Sequence, residues 1–62
     1  MNWELYEVWA IEEDGSESLI DTTKSLKEAK SIAEAEIAEV GCECVIYRED
    51  ENGELEEIER VQ

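Results

Sequence analysis

The chain lacks histidine and proline altogether and carries only five basic residues. Without histidine it is missing the commonest general base and metal ligand. No Ser/His or Cys/His combination is available for nucleophilic catalysis, and no glycine-rich phosphate loop is present. No catalytic residue is therefore assigned, and the chain reads as a non-enzyme. No run approaches the ~20 apolar residues of a membrane-spanning helix. The start at Met1 has neither a basic nor an apolar leader region, so no signal peptide is expected, and a cytoplasmic setting is the default. The two cysteines, Cys42 and Cys44, are too few for a closed four-ligand zinc site. Free cysteine more often behaves as a small buried hydrophobe. The acidic run around Gly53 fails the EF-hand spacing, because counting from Asp50 puts the glycine at the fourth position instead of the sixth. No metal and no cofactor are expected.

What is present is acid. Nineteen Asp and Glu give 62 residues a net charge of -14. Self-repulsion on that scale opposes compaction, and a domain this small buries only about 60% of its unfolded surface. The 42% hydrophobic content and its ordered spacing still argue for folding, as one small acidic domain over residues 1–62.

Residues 3 to 12, rich in Trp, Tyr, Val and Ile, have strand composition. Asp14-Gly15 marks a turn, and residues 17 to 23 return as a second strand. From Ser25, the stretch SLKEAKSIAEAEIAEVG reads as a helix. Ser25 and Glu28 have capping-box spacing. Leu26, Ala29, Ile32, Ala33, Ile37 and Val40 form one apolar stripe, and Gly41 suits a left-handed end. CECVIYRED and ELEEIERV follow as strands joined through Asn52-Gly53. The fold class is α+β, ββαββ, with one helix on one face of a four-stranded antiparallel sheet. Strand order 2-1-3-4 makes every neighbour antiparallel and is preferred over 1-2-3-4.

The helix-facing set is expected to be Tyr6, Val8, Ala10, Cys44 and Ile46, because the other set would bury Glu7 unpaired. The counter-argument is volume, since an alanine-rich helix face accommodates large tryptophan rings. Either choice leaves one sheet face open. Trp3, Trp9 and Tyr47 are candidate contacts there, for a heterologous partner or for a homodimer.

The helix charges oppose its dipole, with Lys24, Lys27 and Lys30 near the start and Glu34, Glu36 and Glu39 near the end. Lys30 and Glu34 have the spacing of a helical ion pair. The total charge far exceeds the ~2–8 that serves solubility. Alternate strand residues lie ~6.6–6.8 Å apart, a spacing of the order of successive phosphates on an extended strand. Carboxylate rows can thus address a basic protein surface, while nucleic acid and anionic lipid are repelled.

Two stretches carry a family resemblance. ESLI, Glu17 to Ile20, precedes the helix, and VIYREDENGE, Val45 to Glu54, forms the last turn. In size, charge and α/β build the chain resembles small acidic phage proteins that mimic DNA, the uracil-DNA glycosylase inhibitors among them. Leu19 departs from the family's Glu-Ser-Ile-Leu run. The resemblance implies that Glu17 and Ser18 contact the DNA-binding loops of a target enzyme, with a hydrophobic surface nearby holding an enzyme side chain. The candidate binding residues are Glu17, Ser18, Leu19 and Asp21 on the second strand. On the second hairpin they are Glu49, Asp50, Glu51, Glu54, Glu56, Glu57 and Glu59. The expected function is inhibition of a DNA-binding enzyme or defence complex. The alternative is an accessory or antitoxin-like domain that dimerises through its open face and uses acid for solubility.

Overall fold

A computed structural model describes residues 4–62. Trp3, a candidate face residue, lies outside the described residues. The elements run β1 (Leu5–Ile11), β2 (Glu17–Thr23), α1 (Leu26–Val40), β3 (Glu43–Glu49) and β4 (Leu55–Val61). The sheet order is β2-β1-β3-β4 with all neighbours antiparallel, the preferred arrangement. The helix leaves the edge strand β2, crosses the sheet and delivers the chain to β3 beside β1.

Each element starts and stops for a local reason. Ser25 caps the helix, its side chain accepting from the Glu28 amide. The Glu28 carboxylate does not return to the Ser25 amide as in a simple capping box. Instead Thr23 relays: its hydroxyl donates to Glu28 Oε2 at 2.6 Å and accepts from the Ser25 amide at 3.3 Å. Gly41 ends the helix at φ 82°, its amide bonded to the Ile37 carbonyl. Both hairpin turns differ from the two-residue loop that Asp-Gly and Asn-Gly suggest. The only positive φ values among the described residues are at glycines, which excludes a loop with both central residues left-handed. Gly15 donates to the Glu12 carbonyl, and the Glu12 amide donates to Ser16. The loop is therefore three residues, closed by the glycine.

The second hairpin repeats this plan. Gly53 donates to Asp50, and the Asp50 amide donates to Glu54. Displaced by one constant interval, Leu5 to Ile11 recurs as Glu43 to Glu49, and Glu17 to Thr23 recurs as Leu55 to Val61. The register breaks recur too. Ile20 is the extra residue of β2 opposite Val8 and Trp9, and Ile58 is the extra residue of β4 opposite Ile46 and Tyr47. Val8 and Ile46 face each other at the centre. The sheet thus has an approximate two-fold axis through that pair, and its two hairpin tips point to opposite ends of the molecule. The bulges also disrupt the ladder pattern on both edge strands, a device that discourages edge-to-edge pairing.

Helix and sheet meet through Tyr6, Val8, Ala29, Ala33, Cys44 and Ile46. That is the expected sheet face, with Ala10 also buried. Ala29 and Ala33, fully buried, hold the helix close to the sheet. Ile20 and Ile58, with Leu26, Ile32, Ile37, Cys42 and Val61, close the margins. Val40 does not complete the stripe. It sits in the last turn, past the sheet contact, and is 64% exposed.

Candidate functional site

The helix breaks the two-fold plan of the hairpins, and this makes the two ends of the sheet electrostatically unlike. Its N-terminus lies at the second-hairpin end, bringing Lys24 and Lys27 to the end that also holds Arg48, whose strand partner Tyr6 pairs with Thr23. Its C-terminus lies at the first-hairpin end, beside Glu12, Glu13, Asp14 and Glu43, and its last turn carries no basic residue.

The candidate residues of β4 are engaged by the chain's own cations. Arg48 meets Glu56 at 2.6 Å across the ladder, Lys30 reaches Glu59 at 3.3 Å, and Arg60 approaches Glu57 at 3.5 Å. Lys30 therefore ties the helix to β4 and does not pair with Glu34 as helical spacing suggests. All these groups are substantially exposed, so each pair contributes only about 0–1 kcal/mol. They still offset local charge. Asp50 holds the second loop, accepting from the amides of Asn52 and Glu54, while Glu51 and Glu54 are exposed at its tip.

On β2, Glu17, Ser18, Leu19 and Asp21 are all exposed. None of the ion pairs seen among the described residues involves them. Glu17 accepts from the Tyr47 hydroxyl at 2.9 Å, and Asp21 from the Thr22 amide. The two carboxylates of this edge keep most of their acceptor capacity for solvent or a partner. In the first loop, Asp14 accepts from the hydroxyl and the amide of Ser16, and these bonds hold its carboxyl below the usual carboxylate range.

The open sheet face is partly sealed by its own side chains. Val45 is fully buried there, flanked in the ladder by Trp9 and Arg60. Trp9 and Tyr47 meet edge-to-face at 6.4 Å. The indole N–H donates to Glu7 at 3.0 Å, which answers the cost of placing Glu7 among aromatics. Glu49 lies against Glu7, and hydrogen bonding between them, followed by desolvation, raises its carboxyl above the usual range. Burial, then the bond to Glu17, raises the Tyr47 phenol. Among the described residues, two of the three exposed large apolar side chains, Leu19 and Leu55, sit on opposite edge strands, and the third, Val40, ends the helix.

Among the described residues, no group of three or more Cys, Asp or Glu is placed to hold a metal ion, and no helix is long and apolar enough to cross a membrane. Cys44 is buried, its thiol toward the Ala33 carbonyl, and Cys42 is half-buried.

Sequence reasoning missed a groove at the first-hairpin end. It is lined by Ile11, Val40 and Cys42, with Glu12, Glu13, Asp14 and Glu43 around it. The signal was available in the strand order, which places the helix C-terminus beside the first turn. No protein-family model, curated protein or solved structure matches the chain.

Proposed function

We propose that this protein is a non-enzymatic binding module whose carboxylates take the place of nucleic-acid phosphates on the basic surface of a DNA-binding protein, inhibiting it. The observation that carries this reading is the uneven compensation of charge. Three of five basic residues are spent in ion pairs with β4, while none of the ion pairs among the described residues involves the carboxylates of the β2 edge or the first hairpin. Excess charge of one sign at an accessible edge speeds encounter with an oppositely charged surface. A cytoplasmic setting, where such enzymes act, belongs to the same reading.

The test is competition. Added to a DNA-binding enzyme on labelled DNA, the protein should release the DNA, and release should weaken steeply as salt rises. Glu17→Gln with Asp21→Asn should slow association more than Glu54→Gln, Glu56→Gln and Glu59→Gln together, because Glu56 and Glu59 are already paired within the chain. If both sets compete as well as the parent while Trp9→Ala abolishes binding, the aromatic face is the recognition surface and the phosphate analogy is wrong. The second reading, a homodimer through the open face with acid serving solubility, draws on exposed Leu19 and Leu55. Sedimentation at micromolar concentration decides it, and a clean monomer at moderate salt removes it.

A further inference from the structure

We infer that the groove between the first hairpin loop and the end of α1 is a docking seat for a short basic segment of a partner protein, one apolar side chain flanked by lysine or arginine. The inference rests on the reading of this chain as a binder of basic protein surfaces, and it says where the partner sits. Three of the residues lining the groove are apolar, Ile11, Cys42 and Val40, and Val40 stands 64% exposed in the last helical turn. An aliphatic side chain seated against Val40 removes that apolar surface from water.

The surroundings select the flanking residues. Glu12, Glu13, Asp14 and Glu43 line the same groove, and none of the five basic residues does. The last helical turn has no cation of its own, so its carbonyl ends, which carry partial negative charge, favour a cation supplied from outside. The nearer cations are already engaged, Lys30 with Glu59 and Arg60 with Glu57, and Lys27 lies at the far end of a helix about 20 Å long. Gly15 and Gly41 both line the groove, and a Cβ built on either meets nothing within 4 Å. A partner chain can therefore approach the backbone on both walls. An acidic segment or nucleic acid is repelled. A second copy of this chain brings a like-charged rim against this one. A wholly apolar segment desolvates the carboxylates without replacing their water.

The test titrates the intact protein with three capped tripeptides, Lys-Leu-Lys, Lys-Ser-Lys and Glu-Leu-Glu, and follows backbone amides by NMR. Gly53, at the opposite tip in the same loop conformation, is the internal control. Lys-Leu-Lys should shift Gly15 and Gly41 and leave Gly53 in place. Val40→Ser, at an exposed position that leaves folding intact, should weaken it about three- to tenfold, the effect of half-burying one aliphatic side chain. Lys-Ser-Lys should weaken similarly, Glu-Leu-Glu should not bind, and Glu4→Gln, exposed ahead of β1 at the opposite end of the sheet, should change nothing. Equal shifts at Gly53 would mean diffuse attraction and overturn the inference, as would unchanged affinity in Val40→Ser or no shift at all. Running Val40→Ser in the DNA competition separates the two proposals. If no peptide seats in the groove but the protein still displaces DNA, the docking seat falls and the phosphate analogy stands. If the peptide seats there but no DNA is displaced, the reverse holds.

Discussion

At the scale of single residues, the two cysteines show how position decides chemistry. They are two residues apart and share a side of the chain, yet only Cys44 is fully buried. Burial, reinforced by the neighbouring Cys42 and by Glu36, pushes its thiol up to about 11. The thiolate is the reactive form, so Cys44 should resist alkylation in mildly alkaline buffer while half-buried Cys42 reacts. Mass spectrometry after native iodoacetamide treatment should find a single added group on Cys42, and Cys44 should be labelled only after unfolding. Equal labelling of both would mean that the helix does not sit on this face of β3. The sequence supported the choice of face through Glu7, which an apolar helix contact could not have partnered. It did not show that Val45, on the opposite face, would be as deeply buried as Ile46. That burial needs the Trp9 and Arg60 neighbours that only the ladder supplies.

At the scale of elements, the helix and the four strands were legible because each carries its own period and stop signals. Capping residues bounded α1, and glycine pairs marked both turns. The register breaks were not legible. Ile20 and Ile58 look like ordinary alternating residues until pairing with β1 and β3 leaves each of them over. The repeat between hairpins was equally hidden, since most equivalent positions differ in residue type and only the turn glycines, the bulged isoleucines and the pair Glu13 and Glu51 coincide. Two of the three ion pairs of β4 were unreadable for the same reason, because Arg48 and Lys30 come from β3 and α1. The helix end, by contrast, makes a simple prediction. Gly41 is left-handed with open space around it, so an alanine there meets no clash and only the backbone penalty. Gly41→Ala should cost about 1 kcal/mol, the left-handed strain less the gain from a stiffer unfolded chain. Urea denaturation should show a lower midpoint with an unchanged slope. A stabilised variant would mean that the helix does not end in this conformation.

At the scale of the whole molecule, one field governs stability and association with opposite signs. With a net charge of -14, folding gathers like charges that the unfolded chain keeps apart. Screening relieves that repulsion, so added salt should raise the melting temperature at neutral pH, while the same salt should slow association with a basic partner. Acid should act on stability in the same direction as salt at first. Glu49 has its carboxyl raised from 4.5 by hydrogen bonding to Glu7. A group raised in the folded state contributes stability that is full below its unfolded value and lost as pH rises through its folded value. Asp14 has the opposite sign. Its carboxyl is lowered from 3.8 by Ser16, so its contribution is present above that value and lost as pH falls through the lowered one. The two windows overlap in the mildly acidic range, and the melting temperature should peak there, above its neutral value. Glu49→Gln should flatten the neutral side of that profile and leave the acidic side unchanged. A melting temperature that falls with salt at neutral pH would mean that the charged surface is internally balanced. The uncompensated edge on which partner binding rests would then be absent.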